Sequence, residues 1–175
     1  VPSVACEGLS STFSVPDQPG CTFTWKVNPD AAGTVTVGQG TSGVTIQWNG
    51  NGNPVYTCVS GLTAQGCRAS DSILFPVHPK PPVAFTRCLD PVTTPEARPY
   101  VLRGGIPAGT SGVYSGSGVT LSGGAYLFSP SAVSPPLPKT VTISYTYTNI
   151  WGCPAAADIQ VQIVAAPAFT CGSAL

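Results

Sequence analysis

The residues Thr140–Thr148 alternate between apolar and polar side chains without interruption. Because successive side chains of a β-strand point to opposite faces of a sheet, this period of two predicts a strand with one buried face. The β-branched and aromatic residue types favour the same structure. The predicted inward set occupies every second position: Val141, Ile143, Tyr145 and Tyr147. The strand leads through a turn into Cys153, and we expect its far end to be tied to another segment.

The composition favours an all-β chain with no strong electric field around it. With 20 Gly and 19 Pro among 175 residues, uninterrupted helical runs are disfavoured. Charged residues make up only 8% and the formal net charge is zero, so neither nucleic acid nor cations would be attracted by a charged surface. No run of about 18 apolar residues is present, and we expect no membrane insertion.

Short alternating runs divided by Gly, Asn and Pro occupy the first 78 residues. In Cys21–Val27 we expect Phe23, Trp25 and Val27 to point inward. In Val44–Trp48 we expect the same of Val44, Ile46 and Trp48. Such short strands at this spacing predict a two-sheet sandwich.

Proline marks a boundary after the first run of strands. Residues 79–82 read Pro-Lys-Pro-Pro, which favours a stiff, extended linker. We therefore predict a first domain at 1–78 and a second sandwich at 83–165. Residues 166–175 repeat the pattern that opens the second domain, since Ala166–Cys171 echoes Pro82–Cys88. We interpret this tail as the first strand of a following repeat. The sequence has no initiating Met and no signal peptide, and we interpret it as a mature product or a piece of a longer chain.

Seven cysteines favour an oxidising compartment and a set of disulfides. Cys171 lies in the tail, where a partner in another domain or another chain is expected. The second domain then holds only Cys88 and Cys153, which we predict to pair. The first domain holds four, which allow three connectivities. We favour Cys6 with Cys67 and Cys21 with Cys58.

Several segments resemble the repeat domains of very long secreted surface proteins of Bacteroidetes. The second domain resembles their immunoglobulin-like repeats in four stretches, Leu102–Pro107, Gly112–Val119, Phe128–Pro130 and Ile143–Cys153. The first domain resembles the PKD-like module found beside them, in five features: Cys6, Phe23–Trp25, Gly38–Thr41, Val44–Trp48 and Gly66–Cys67. The chain departs from the family at Val133–Pro138, where a short Gly-rich turn is usual, and in Cys21 and Cys58, which are additional to the usual single pair.

The resemblance implies export through the type IX route, display at the cell surface, and roles in adhesion, gliding or filament building. No catalytic residues and no cofactor come with it. Expected partners are neighbouring repeat domains or identical subunits, with surface glycans as an alternative. Asp71-Ser72-Ile73 is similar to the short acceptor pattern for O-glycosylation in this group, which makes Ser72 a candidate modification site.

The inventory of reactive residues argues against an enzyme. The single histidine, His78, stands against Pro79, and we expect a solvated side chain rather than a catalytic base. The carboxylates are scattered along the sequence, and no Asp-rich calcium loop is present. The chain has no C-x-x-C pair, so we expect no metal site. Intramolecular cross-links through Lys26 or Lys139 are disfavoured in a chain with disulfides available.

Carbohydrate binding is the main alternative to a structural role. Trp25 and Trp48 lie in phase with inward apolar residues and are expected in the core, whereas Trp151 lies in the turn before Cys153. An exposed Trp151 could stack on sugar or pack against a neighbouring domain or subunit. Tyr114 and Tyr126 are weaker candidates of the same kind. The sequence thus predicts two tandem immunoglobulin-like sandwiches acting as an adhesin stalk or filament subunit, or alternatively as a carbohydrate-binding module of a secreted enzyme.

Overall fold

The computed structural model describes residues 5–50, 52–63, 66, 68–86, 89–109 and 112–167, and for 52–58, 60, 63 and 75 it describes the backbone only. The chain divides into two compact units. The first comprises the described residues up to Pro81 together with Asn149–Cys153, and the second comprises those of Pro82–Thr148 and Pro154–Leu175. Each unit is an immunoglobulin-like β-sandwich, and the described residues are all-β apart from two short 3₁₀ turns, Asp30–Ala32 and Pro130–Ala132.

The described residues of the first unit form seven strands in two sheets. The strands are β1 (Ala5–Cys6), β2 (Ser10–Ser14), β3 (Cys21–Asn28), β4 (Gly33–Val37), β5 (Gly43–Trp48), β6 (Gly52–Thr63) and β7 (Arg68–His78). One sheet has the order β1-β7-β6-β3 and the other the order β2-β5-β4. All pairs are antiparallel except β1 with β7, which run parallel over two residues.

The core of the first unit lies between these sheets. In β3 the pattern of burial alternates without a slip, and Phe23, Trp25 and Val27 are buried as predicted. In β5 the buried residues are Val44, Ile46 and Trp48, also as predicted. The polar tips of both tryptophans are satisfied, since the Trp25 indole donates to the Thr41 carbonyl at 2.8 Å and the Trp48 indole to the Ser11 hydroxyl at 2.9 Å. Both tryptophans are core residues, which confirms the sequence prediction.

Nine strands lie in the part of the second unit that the structure describes. They are β8 (Ala84–Phe85), β9 (Val92–Thr93), β10 (Tyr100–Val101), β11 (Gly105–Ile106), β12 (Gly112–Gly116), β13 (Val119–Ser122), β14 (Ala125–Phe128), β15 (Lys139–Thr148) and β16 (Pro154–Ile163). The sheets have the orders β12-β15-β16-β9, β10-β14-β13 and β11-β8. The long strand β15 contains the run Thr140–Thr148 that the sequence predicts to be a strand.

Tyr145 is packed at the centre of the second unit. Its ring is 2% exposed and lies 4.8 Å from the ring of Tyr114, centroid to centroid. Two glycines leave room for it, because a Cβ added at Gly105 or Gly112 would lie 2.4 and 2.1 Å from Tyr145 atoms. The Tyr145 hydroxyl donates a hydrogen bond to the Pro107 carbonyl. The alternation of β15 continues around it, with Val141 and Ile143 buried.

The division between the units falls at Pro81 and Pro82, inside the proline-rich segment 79–82. The grouping of Asn149–Cys153 with the first unit has no signal in the sequence pattern, because these residues form the turn between β15 and β16. The tail residues 168–175, Cys67, Cys88 and Cys171 lie outside the described residues, and so does the side chain of Cys58. Over the described residues, no helix has the length and apolar character needed to cross a membrane.

Candidate functional site

The turn Asn149–Cys153 is organised by the side chain of Asn149. Its Oδ1 accepts hydrogen bonds from the backbone N–H of Trp151 at 3.0 Å and of Cys153 at 2.9 Å. Asn supplies this kind of local turn because its short side chain reaches its own backbone. Gly152 adopts a φ of 82°, which glycine tolerates at no steric cost, and the Gly152 N–H donates to the Asn149 carbonyl. The local sequence therefore fixes where Cys153 sits.

Cys153 is joined to Cys6 by a disulfide across a sequence separation of 147 residues. Both residues are buried, at 0% and 4% exposure. Cys6 is positioned by the parallel pairing of β1 with β7, which places it opposite His78. The backbone of the same region is tied by a hydrogen bond from the Glu7 N–H to the His78 carbonyl at 2.9 Å. The disulfide thus bonds the segment Asn149–Cys153 covalently to the rest of the first unit.

Two further contacts surround this disulfide. The Asn149 Nδ2 donates to the Pro79 carbonyl at 3.0 Å. The Trp151 ring stacks on the His78 ring with centroids 5.1 Å apart and planes 8° from parallel. The other face of Trp151 is open enough that 44% of the residue is exposed. We call Cys6, His78, Asn149, Trp151 and Cys153 together the disulfide clasp.

The prediction of a solvated His78 is wrong. His78 is the last residue of β7 and is half-buried, because the Trp151 ring covers one face of its imidazole. The sequence offered no indication of this contact, since the two residues are far apart along the chain. In the clasp, the imidazole stacks on the Trp151 ring.

Two predicted disulfide pairings are wrong. Cys6 was expected to pair with Cys67 and Cys153 with Cys88, but Cys6 and Cys153 bond to each other. The pairing was predicted within each domain, and the structure instead places Cys153 in the same compact unit as Cys6. The expectation that the far end of β15 is tied to another segment is confirmed. The bond is made by Cys153 in the turn after β15, and its partner Cys6 belongs to the first unit.

The predicted pair of Cys21 with Cys58 is also wrong. Cys21 is a free cysteine and faces Thr63 of β6, whereas Cys58 faces Lys26. The two cysteines are therefore offset by five positions along neighbouring strands, which is roughly 17 Å at the rise of a β-strand. A disulfide requires Cα atoms within about 7 Å. The Cys21 thiol instead contacts the Gln18 side-chain oxygen at 3.6 Å.

The remaining candidate residues lie apart from the clasp. Ser72 is exposed on β7, and its backbone N–H donates to the Asp71 carboxylate at 2.8 Å. Tyr114 and Tyr126 are half-buried and pack against each other with ring centroids 5.5 Å apart, so they belong to the core of the second unit. Among the described residues, no three His, Cys, Asp or Glu side chains are grouped so as to hold a metal ion.

Comparisons with known proteins identify no family for this chain. No protein-family model matches the chain, and no curated protein matches it. Among solved structures, a chimeric titin Z1Z2 is 17% identical, with 94% of this chain and 92% of that chain covered and a TM-score of 0.35. Protein SGBP-B of the Bacteroides ovatus mixed-linkage glucan utilization locus, solved with a heptasaccharide, is 14% identical, with 92% and 42% covered and a TM-score of 0.34. The insect immune protein hemolin is 11% identical, with 98% and 50% covered and a TM-score of 0.33.

At these TM-scores the similarities carry no inference about function. The class of the protein follows from its own strands and sheets, which form immunoglobulin-like β-sandwich units in an all-β chain.

Proposed function

We propose that the chain is a structural, non-catalytic segment of a secreted multidomain surface protein, acting as an adhesin stalk or as a subunit of an extracellular filament. The disulfide clasp is the observation that carries this proposal. A buried disulfide between residues 147 positions apart is a device of proteins that fold and work in oxidising surroundings. It suits a chain that must resist extension, because it closes most of the chain into a covalent loop.

The finer assignment follows the sequence resemblance. We propose that the first unit is a PKD-like module and the second an immunoglobulin-like repeat of the kind found in Bacteroidetes surface proteins exported by the type IX route. Its partners would be neighbouring repeat domains or identical subunits, and no cofactor is required. The low content of charged residues and the formal net charge of zero favour this, because they leave little repulsion between copies.

Ser72 is proposed as an O-glycosylation site. Its exposure on β7 leaves the hydroxyl accessible to a modifying enzyme, and it stands within the Asp71-Ser72-Ile73 pattern. Intact-mass measurement of the exported protein, compared with a Ser72→Ala variant, tests this site directly. A glycan mass that persists in Ser72→Ala contradicts it.

The location and the disulfide can be tested on the native protein. Immunogold electron microscopy of intact cells should place the chain outside the cell, and peptide mapping without reductant should recover Cys6 linked to Cys153. Finding the chain in the cytoplasm, or finding Cys6 and Cys153 as free thiols in the exported protein, would overturn the proposal.

A carbohydrate-binding accessory module is the second candidate. The observation that favours it is the open face of Trp151, which is 44% exposed beside an 89% exposed Ile150. Aromatic faces of this kind stack on sugars. A glycan array with the wild-type chain, Trp151→Ala and the neighbouring control Ile150→Ala separates the candidates. Binding that disappears in Trp151→Ala and persists in Ile150→Ala favours the module, and no binding in any of the three favours the structural role.

A further inference from the structure

A groove opens at the edge of the first unit, away from the disulfide clasp. It encloses a cavity of about 340 Å³, within the size range of sites that take a side chain or small ligand. Its floor is formed by Phe23, Val59 and Gly61, and Val15 forms a wall. The groove is open above Phe23 because Gly61 has no side chain: an added Cβ there would lie 3.6 Å from the Phe23 ring.

The groove adjoins an open sheet edge. On one side, β7 pairs with β6 along most of its length. On its other side, β7 pairs with β1 only at Val77 and His78. Among the described residues, no strand pairs with Arg68–Pro76 on that side. Ala69 and Asp71 of this edge also line the groove. An open edge beside a groove for side chains is the arrangement that binds an extended peptide by strand addition.

The charges of the groove favour an uncharged peptide. Arg68 and Asp71 are the two charged residues that line it, and their charges cancel. The floor is apolar, so an apolar or aromatic side chain is the natural occupant. A strongly charged segment would gain no net attraction from this pair and would have to desolvate its charge against Phe23 and Val59.

The chain itself carries such a segment. Residues 166–175 read Ala-Pro-Ala-Phe-Thr-Cys-Gly-Ser-Ala-Leu and contain no charge. Their Ala-Phe-Thr occurs a second time at Ala84–Thr86. There Ala84–Phe85 forms strand β8, and the Phe85 ring packs 5.3 Å from the Tyr114 ring. The Ala-Phe of this repeated sequence is thus observed as a two-residue strand at Ala84–Phe85, with its phenylalanine packed on Tyr114.

We propose that the segment 166–175 of one copy adds as a strand to the open edge of β7 in a second copy, with Phe169 in the groove. This rests on the proposed filament role and names the contact that would build the filament. The two surfaces differ, so the contact is heterologous, and a dimer still offers one unoccupied groove and one unpaired segment. Copies therefore join head to tail into open chains.

Sedimentation velocity of the full chain tests this with two variants that block opposite sides of the contact. Gly61→Leu fills the groove, and Phe169→Ala removes the anchor. The wild type should form a concentration-dependent series of species, whereas each variant alone should remain monomeric. An equimolar mixture of the two variants should stop at dimers, because only one groove and one segment remain competent.

Controls separate loss of binding from loss of fold. Leu62→Ala changes the neighbouring residue, which is 42% exposed on the opposite face of β6, and should associate as the wild type does. An unchanged melting temperature shows that Gly61→Leu is folded. If Gly61→Leu does not fold, Ala69→Leu replaces it, because that change fills the same groove from β7.

Three outcomes would overturn the inference. They are a wild type that stays monomeric at every concentration, a Gly61→Leu variant that folds and associates normally, and a Leu62→Ala variant that loses association. None of these outcomes bears on the cell-surface location or on the Cys6–Cys153 bond. The proposed function is therefore tested separately, by the electron microscopy and the peptide mapping described above.

Discussion

Tyr145 shows how one residue can combine packing with a buried polar group. Its ring is accommodated by Gly105 and Gly112, and its hydroxyl finds an acceptor in the Pro107 carbonyl. Burial is the main cause that raises the pKa of Tyr145 above 10.0, and the neighbouring Tyr114 and Tyr147 raise it further. The folded chain therefore holds the neutral phenol at a pH where the unfolded chain has begun to ionise.

This shift predicts a loss of stability in alkali that Tyr145→Phe should lack. Because the pKa is raised on folding, the contribution of the phenol is fully present below pH 10 and falls as the pH rises through the folded value. At pH 8 the variant should be less stable by about 1 kcal/mol, since it loses the hydrogen bond to Pro107. Urea unfolding midpoints between pH 8 and 11 measure both effects. Parallel pH profiles for wild type and variant would contradict the prediction.

At the scale of elements, the strands that alternate cleanly were predictable and the short ones were not. The runs in β3, β5 and β15 gave the buried faces, with Tyr147 only half-buried, because two-residue periodicity fixes which side chains face the core. Strands of two residues such as β8, β9 and β11 have no period to detect. Their existence depends on partners elsewhere in the chain.

For the disulfide clasp, the sequence predicted the turn and a bonded Cys153, but it did not predict that Cys6 is the partner of Cys153. The sequence around Asn149 and Gly152 indicates a turn, and Cys153 was expected to be bonded. Its partner could not be derived, because pairing was assigned within each stretch of strands, whereas the turn between β15 and β16 belongs to the first compact unit. Pairing of distant cysteines depends on tertiary placement, which local patterns do not encode.

The turn at Asn149 yields a prediction about one side chain and its three hydrogen bonds. Asn149→Ala removes the two bonds accepted from Trp151 and Cys153 and the one donated to Pro79. We expect a loss of about 1–3 kcal/mol in the free energy of unfolding. Asn149→Asp keeps both acceptor bonds and places a carboxylate oxygen near the Pro79 carbonyl at a solvent-exposed position, so it should cost less than Asn149→Ala. Urea unfolding with the disulfide intact measures both, and equal losses for the two variants would contradict the assigned geometry.

For the whole molecule, the disulfide decides which part of the chain can bear tension. A force applied at the two ends follows the shortest covalent path, which runs to Cys6, crosses the sulfur bridge and leaves from Cys153. The residues between the two cysteines lie off that path, even when they are unfolded. A chain built in this way limits its own extension through one bond rather than through the strength of its strands.

Single-molecule stretching of the chain between handles at its two ends therefore has a definite expected result. Without reductant, unfolding should release almost none of the length of the 147-residue loop. With reductant, roughly 500 Å more should appear, at about 3.3–3.6 Å per extended residue. The double variant Cys6→Ser and Cys153→Ser should show the long extension without reductant, whereas Cys21→Ser, which changes a thiol outside the clasp, should behave as the wild type. A wild-type chain that reaches the long extension before reduction would mean that the load does not pass through the clasp, and the structural role would lose its physical basis.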